Sequence, residues 1–135
     1  MRILVVEDEF ISRRLLCRYL EPFGECDIAV NGEEALEAVR TAIEAGEHYD
    51  LICLDIMMPG MDGQETLKSI RGVEESHGIS LGRGAKIIMI TSLEDHRNIR
   101  AAFKSFADGY LVKPVEKKKF LMVLSEVGFD FSIPL

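Results

Sequence analysis

The side chains best suited to chemistry each follow an apolar run of the sequence. The first run ends at Glu7 and Asp8, the third at Asp55, the fourth at Thr91 and the fifth at Lys113. Any one of them alone could cap a helix or lie on a solvated surface. If the runs are parallel strands, however, their carboxyl ends meet at one edge of a sheet. Three carboxylates, a hydroxyl and an ammonium group then converge at that edge.

A bound cation would stabilise such a cluster of carboxylates, because like charges repel. Two unit charges about 4 Å apart repel by roughly 4 kcal/mol at an effective dielectric of 20. Oxygen ligands favour a hard ion, and few protein ligands leave room for the waters that Mg²⁺ retains. No histidine or cysteine follows these runs, which disfavours zinc. A carboxylate nucleophile, Mg²⁺, a lysine and a hydroxyl together are suited to phosphoryl transfer.

The elements that position these residues alternate between short apolar runs and segments of helical periodicity. The runs are Ile3–Val6, Asp27–Val30, Leu51–Leu54, Lys86–Ile90 and Gly109–Val112. The first, third and fourth are continuously apolar, which is typical of strands in a parallel sheet covered on both faces. The alternation predicts an α/β fold of (βα)₅ type with right-handed crossovers.

Local signals predict where the helices begin and end. Pro22 and Gly24 end the first helix, and Asn31 is the predicted N-cap of the second, with Glu34 three residues on. Ser92 is the predicted N-cap of the fourth. The last three helices are marked by apolar residues at helical spacing: Leu67 and Ile70 for a short third helix, Ile99, Ala102, Phe103 and Phe106 for the fourth, and Phe120, Leu121 and Leu124 for the fifth. Segment 72–85 is long for a connection, which predicts a mobile loop or a helix extension.

Composition sets further expectations. The chain has 135 residues, 47% of them hydrophobic, and a net charge of −7. This size fits one domain, and the acidic balance argues against direct binding of nucleic acid or an anionic membrane. No apolar stretch approaches the roughly 18 residues of a membrane span, so we expect a cytoplasmic protein. Without a CxxC pair, Cys17, Cys26 and Cys53 are expected to be small buried hydrophobes in a reducing compartment.

The site residues and the motif after the third run resemble the receiver domain of two-component response regulators. Residues 55–63 are Asp-Ile-Met-Met-Pro-Gly-Met-Asp-Gly, and Glu7-Asp8, Thr91 and Lys113-Pro114 have the family's order and spacing. The resemblance extends from residue 2 to about residue 127, and the chain is similar to single-domain chemotaxis regulators. It implies a doubly wound, flavodoxin-like parallel sheet of five strands in the order 2-1-3-4-5. It also implies a receiver domain over residues 1–128 and a C-terminal tail over 129–135.

The resemblance implies the phosphoacceptor and the metal ligands. Asp55 is implied as the residue that accepts the phosphoryl group. Mg²⁺ is implied to bind Asp8, Asp55 and the backbone carbonyl of Met57, with Glu7 nearby or acting through water. Glu7 stands where the family more often has aspartate, a change that leaves metal binding intact.

The resemblance also implies how the site would switch. Thr91 and Lys113 would contact the phosphoryl group, and the peptide bond between Lys113 and Pro114 would be cis. Thr91 and the aromatic Tyr110 would move on activation. The face made by the family's fourth helix, fifth strand and fifth helix would then report the state to a partner.

The implied function is phosphorelay signal transduction. A sensor histidine kinase or a phosphotransfer protein would donate the phosphoryl group, and an unidentified downstream protein would bind the switched face. The domain would not be an enzyme beyond supporting its own phosphorylation and dephosphorylation. Met57 and Leu93 would flank the phosphoryl group, and since neither side chain can orient a water, we hypothesise that the phosphorylated form hydrolyses slowly without a phosphatase partner. A half-life of seconds at room temperature would argue against that hypothesis.

Three other interpretations compete with a phosphorelay receiver. A haloacid-dehalogenase-like phosphohydrolase needs Asp-x-Asp after the first strand, where this chain has Glu7-Asp8-Glu9. A flavodoxin-like flavin binder needs a hydroxyl- and glycine-rich loop at the same place. A receiver fold used only as a phosphorylation-independent interaction module would not need the full set of acids, threonine and lysine.

Overall fold

A computed structural model describes residues 1–56, 63–80, 82–92 and 106–129, which are built around one parallel sheet. Its five strands are β1 (Arg2–Val6), β2 (Glu25–Ala29), β3 (Leu51–Asp55), β4 (Lys86–Thr91) and β5 (Gly109–Val112). The strand order is β2-β1-β3-β4-β5, and every neighbouring pair is parallel. The predicted α/β fold and strand order are therefore confirmed, although β2 lies about two residues earlier than its apolar run indicated.

Strand register brings the chemical residues to one edge. β1 and β3 pair Val6 with Leu54, so the next residues on the two strands begin the same edge. β4 and β5 pair Thr91 with Val112, and the N–H of Lys113 donates to the Thr91 carbonyl at 2.8 Å. β1, β3 and β4 are almost wholly buried, as their continuous apolarity predicts.

The described residues form four helices: α1 (Phe10–Leu20), α2 (Gly32–Glu44), α3 (Gly63–Ser76) and α4 (Lys117–Glu126). A 3₁₀ turn over Glu21–Phe23 follows α1 at the predicted proline. At the start of α2 the Asn31 side chain accepts a hydrogen bond from the Glu34 N–H at 2.8 Å, which confirms the predicted N-cap. The Glu34 carboxylate bonds back to the Val30 N–H at 3.2 Å, one residue before the cap.

The helices cover both faces of the sheet. On one face Leu4 and Val6 of β1 pack in a cluster with side chains of α2 and α3. On the other face Ile3 and Val5 pack in a second cluster with α1 and α4, whose Phe120 is fully buried. Successive side chains of one strand thus pack into two separate cores, one on each face of the sheet, as in a doubly wound α/β fold.

The third helix is longer than the sequence indicated. α3 has 14 residues and continues through Ser76, so the helix-extension alternative holds for residues 72–76. Its buried residues include Leu67, Ile70 and Glu74. Because Glu74 is charged, the apolar periodicity of the sequence stops before the last turn of the helix. Of the described residues between α3 and β4, Gly78 and Gly82 both have positive φ, which glycine adopts readily in turns.

An ion network joins α3 to the starts of β4 and β5. The Arg71 guanidinium donates to Glu74 at 2.7 Å, to Asp108 at 3.0 Å, and to the carbonyls of Ala85 and Phe106 at 2.8 Å. Glu74 also accepts from the Ala85 N–H at 2.7 Å. The Arg71 side chain is 10% exposed and that of Glu74 is 7% exposed, so the charges are paired away from solvent.

Some predictions fall outside the described residues. These are the motif positions 57–62, the predicted fourth helix with its apolar marks up to residue 103, Leu93, and residues 130–135 of the tail. Phe129, the first tail residue, packs against the core beside α4. Along the ranges that the structure covers, none of the helices has the length and apolarity needed to cross a membrane.

Candidate functional site

Three acidic side chains meet where β1 and β3 end. One carboxylate oxygen from each of Glu7, Asp8 and Asp55 lies within 4.8 Å of the other two. Glu7 and Asp55 are buried, whereas Asp8 is exposed. The cluster is therefore buried on the side of Glu7 and Asp55 and open to solvent on the side of Asp8. Its oxygens are close enough to bind one small cation.

Lys113 bridges two of the three acids. Its ammonium group donates to Oδ2 of Asp55 at 2.7 Å and to Oε1 of Glu7 at 3.4 Å. Burial lowers the pKa of Lys113, but the hydrogen bond and charge of Asp55, helped by Glu7, outweigh it and raise the pKa above its ordinary value. Lys113 is thus a charged partner for the carboxylates. Its peptide bond to Pro114 is cis, as the resemblance implied.

Glu7 has the least favourable environment for a charged carboxylate in the cluster. It is 0% exposed, and its Oε2 atom has no hydrogen-bond partner among the described residues. Burial, reinforced by the neighbouring Asp55 carboxylate and opposed by Lys113, raises the pKa of Glu7 to about 8. An unpartnered carboxylate oxygen beside two other acids fits a hard divalent cation, which would relieve both the repulsion and the missing contact.

Thr91 and Tyr110 lie on the neighbouring strands. Thr91 is fully buried at the end of β4, and its hydroxyl donates to the Ser92 carbonyl at 3.4 Å, a long hydrogen bond. Tyr110 is half-buried in β5, where it pairs with Met89 and packs against the core on the α2 and α3 side. The fold thus brings Glu7, Asp8, Asp55 and Lys113 together, with Thr91 next to them.

Sequence reasoning did not identify two residues that hold the turn after β1. Glu9 is the N-cap of α1, and its carboxylate accepts from the N–H groups of Ile11 at 3.1 Å and Ser12 at 2.8 Å. The Ser12 side chain and backbone hold the pKa of Glu9 below its usual range. The Arg13 guanidinium donates to the backbone carbonyls of Glu7 and Asp8, at 3.5 Å in each case. Glutamate is not among the residues preferred at an N-cap, so the local sequence gave no signal for this cap.

The family model for the response regulator receiver domain matches residues 3–125. The chain belongs to this family. This receiver domain is 35% identical over 126 residues to the chemotaxis protein CheY of Halobacterium salinarum, with 93% of this chain and 95% of that protein covered. It is 30% identical to the crystallised chemotaxis protein CheY4 of Vibrio cholerae, with a TM-score of 0.69 and with 93% and 97% of the two chains covered.

The receiver domain also matches parts of much longer proteins. It is 32% identical over 128 residues to the osmosensing histidine protein kinase SLN1 of Saccharomyces cerevisiae, covering 93% of this chain and 10% of the kinase. It spans between 10% and 45% of the length of the first curated relatives that it matches. Its homologues thus include both kinases and response regulators, which is the setting of two-component phosphorelay signalling. The family is not one of conventional enzymes, and the phosphohydrolase and flavin-binder interpretations are not favoured.

The raised pKa of Glu7 predicts a pH-dependent effect of Glu7→Gln in metal-free buffer. In the unfolded chain this carboxyl titrates near 4.5, and in the folded protein near 8, so the folded state holds the extra proton between those values. The free energy of unfolding of the wild type therefore falls as pH rises through that window. A glutamine side chain cannot ionise, so above pH 8 the variant should be more stable than the wild type by on the order of 2 kcal/mol.

Urea unfolding with EDTA at about pH 6 and about pH 9 measures this effect. The stability difference between Glu7→Gln and wild type should grow with pH. The exposed Glu126→Gln change should give the same difference at both values. A Glu7→Gln difference that does not change with pH would show that Glu7 titrates normally in the folded protein.

Proposed function

We propose that this receiver domain accepts a phosphoryl group on Asp55, with Mg²⁺ bound beside it, and uses the modification as a signal. The observation that carries the proposal is the contact set of Asp55. Its carboxylate is buried, bonds to Lys113 at 2.7 Å, and lies within 4.8 Å of two further carboxylates on an edge that opens to solvent. A nucleophile, its counter-charge and a cation site thus adjoin one opening.

The proposed Mg²⁺ ligands are Asp8, Asp55 and the backbone carbonyl of Met57, with Glu7 acting through water. The short distances among the three acids and the unpartnered oxygen of Glu7 support the acidic part of this set. Met57 lies outside the described residues, and its role rests on the family motif alone. When bound, Mg²⁺ would offset the negative charge that develops on the phosphoryl oxygens.

The proposed transfer is an in-line displacement. An Asp55 oxygen attacks the phosphorus of a phosphohistidine, the phosphorus–nitrogen bond breaks, and its electron pair leaves with the imidazole. An acyl phosphate remains on Asp55. Lys113 moves its ammonium contact from the free carboxylate to the phosphoryl oxygens, and the Thr91 hydroxyl donates to one of them.

The proposed switch uses Thr91 and Tyr110. The present hydrogen bond of Thr91 to the Ser92 carbonyl is long, so the hydroxyl loses little when it turns to a phosphoryl oxygen. Tyr110 lies half-buried in the edge strand β5, on the α2 and α3 side of the sheet, so a change in its packing would alter the surface along that edge. A partner that binds this surface would distinguish the two states.

The proposed partners follow from the relatives. A sensor histidine kinase or a phosphotransfer protein would donate the phosphoryl group, since homologous receiver domains occur within proteins named as histidine kinases. A downstream protein would bind the switched surface. We assign residues 1–128 to the receiver domain and residues 129–135 to a tail.

Peptide mapping tests the phosphoacceptor. The protein is incubated with Mg²⁺ and acetyl phosphate, and borohydride then reduces any aspartyl phosphate to homoserine. Trypsin releases the peptide Thr41–Lys68, which holds Asp55 together with Asp50 and Asp62 as internal comparisons. Homoserine at position 55 is the expected result. Homoserine at position 50 or 62 would reassign the acceptor, and none at all would favour a phosphorylation-independent interaction module.

A further inference from the structure

The three cysteines lie on the same face of the sheet. Cys17 is in α1, Cys26 in β2 and Cys53 in β3, and all three belong to the core cluster beneath α1 and α4. Cys53 is fully buried, whereas Cys17 and Cys26 are only half-buried. The expectation of three buried hydrophobes therefore holds for Cys53 and not for the other two.

Cys17 and Cys26 lie in the same cleft. Both side chains line the open groove between α1 and β2, and they are near enough for each to shift the pKa of the other. The connection between them is short, a 3₁₀ turn followed by Gly24, on which a Cβ would lie 2.0 Å from the Met1 carbonyl oxygen. This tight packing and the β1–β2 pairing hold the end of α1 close to the start of β2.

We propose that Cys17 and Cys26 are a redox modification site that closes to a reversible disulfide between α1 and the edge strand β2. The oxidant is a small disulfide such as oxidised glutathione. The Cys17 thiolate attacks one of its sulfurs and releases one glutathione as a thiolate. The Cys26 thiolate then attacks the Cys17 sulfur and releases the second. Two electrons pass from the protein to the oxidant, and the two thiol protons go to the released glutathione molecules.

The surroundings of the two thiols set the order of attack. Burial raises the pKa of Cys26 to about 12, and the neighbouring Cys17 reinforces that shift. Burial also raises the pKa of Cys17, but Cys26 and Arg13 both oppose the rise. Of the two thiols, Cys17 gives up its proton more readily, so the proposed order has Cys17 attack first and Cys26 resolve the mixed disulfide. Burial raises the pKa of Cys53, which is enclosed on all sides and serves as the built-in control.

Closing this bond should stabilise the fold without changing the chemistry at Asp55. The disulfide restricts the unfolded chain between α1 and β2, and an upward shift of the melting temperature of about 5 °C is expected. It also fixes α1, the helix that begins directly after the acids of the site, against the edge of the sheet.

Oxidation of the full chain tests the proposal. The reduced protein is incubated with oxidised glutathione and digested with trypsin without reductant. Cleavage at Arg14, Arg18 and Arg40 places Cys17 in residues 15–18, Cys26 in residues 19–40 and Cys53 in residues 41–68. The expected product is a link between the first two peptides, with two hydrogen atoms lost from the intact mass and with reversal by dithiothreitol.

Variants separate the outcomes. Cys53→Ala should keep the linked product, and Cys17→Ser and Cys26→Ser should each lose it. If Cys53→Ala does not fold, the peptide map of the wild type decides by itself. A link to Cys53, a disulfide only between two chains, a mixed disulfide that never resolves, or unchanged thiols would each overturn the proposal.

Discussion

Replacement of Asp8 by asparagine is expected to lower the affinity for Mg²⁺ by at least the roughly 10-fold to 100-fold that loss of an outer-shell partner costs, because Asp8 is a proposed direct ligand. Asp8 is the exposed acid of the cluster, and its carboxylate lies within 4.8 Å of those of Glu7 and Asp55. Asparagine keeps the shape and one oxygen but removes a negative charge from a site for a hard dication. Phosphorylation of Asp55 should slow by a similar factor when Mg²⁺ is limiting, and excess Mg²⁺ should restore much of the rate.

Calorimetric titration with Mg²⁺ measures the affinity, and a time course of intact mass at several Mg²⁺ concentrations measures the rate. Glu126→Gln removes an exposed charge at the end of α4, far along the chain from the site, and should change neither quantity. An Asp8→Asn variant that binds Mg²⁺ as tightly as the wild type would remove Asp8 from the ligand set.

Arg71→Met should lower the free energy of unfolding by about 3–5 kcal/mol, because it leaves the buried Glu74 without its counter-charge and Asp108 with only the Lys86 ammonium, 3.9 Å away. Glu74 is buried and bonds to both Arg71 and the backbone of the loop before β4. Asp108 bonds to Arg71 and to the N–H of Ile87 in β4. Methionine fills a similar volume, so the loss measures the missing charge and hydrogen bonds more than a cavity.

The chain offers a matched control for this change. Arg40 and Glu37 form a pair with the same spacing as Arg71 and Glu74, but the Arg40 side chain is 48% exposed and the contact is 3.7 Å. Arg40→Met should therefore cost less than about 1 kcal/mol. Urea unfolding of both variants gives the comparison, and an Arg71→Met loss no larger than the Arg40→Met loss would show that the network adds no stability.

The sequence predicts the sheet and the acid cluster well for one physical reason. Strands buried on both faces must be continuously apolar, and this pattern located β1, β3 and β4. The polar residues that follow parallel strands lie at one edge of the sheet, so Glu7 and Asp8 after β1 and Lys113 after β5 could be placed near Asp55 from the sequence. The N-cap of α2 was equally local, because Asn31 and Glu34 are three residues apart.

What the sequence could not supply depends on contacts between distant residues. Charged side chains are usually exposed, so nothing in the pattern indicated that Arg71 and Glu74 are buried partners or that α3 runs to Ser76. The contact of Cys17 with Cys26 depends on how α1 crosses β2. The raised pKa of Glu7 depends on its full burial next to Asp55, which spacing alone does not give.

The most direct test of the account is the intact mass of the protein after incubation with Mg²⁺ and acetyl phosphate. The wild type should gain one phosphoryl group. Asp55→Asn should gain none, and the wild type in EDTA should gain none, because the acceptor or the cation is then missing. A wild type that binds Mg²⁺ yet gains no phosphoryl group, or an Asp55→Asn variant that gains as much as the wild type, would contradict the assignment of Asp55 as the phosphoacceptor.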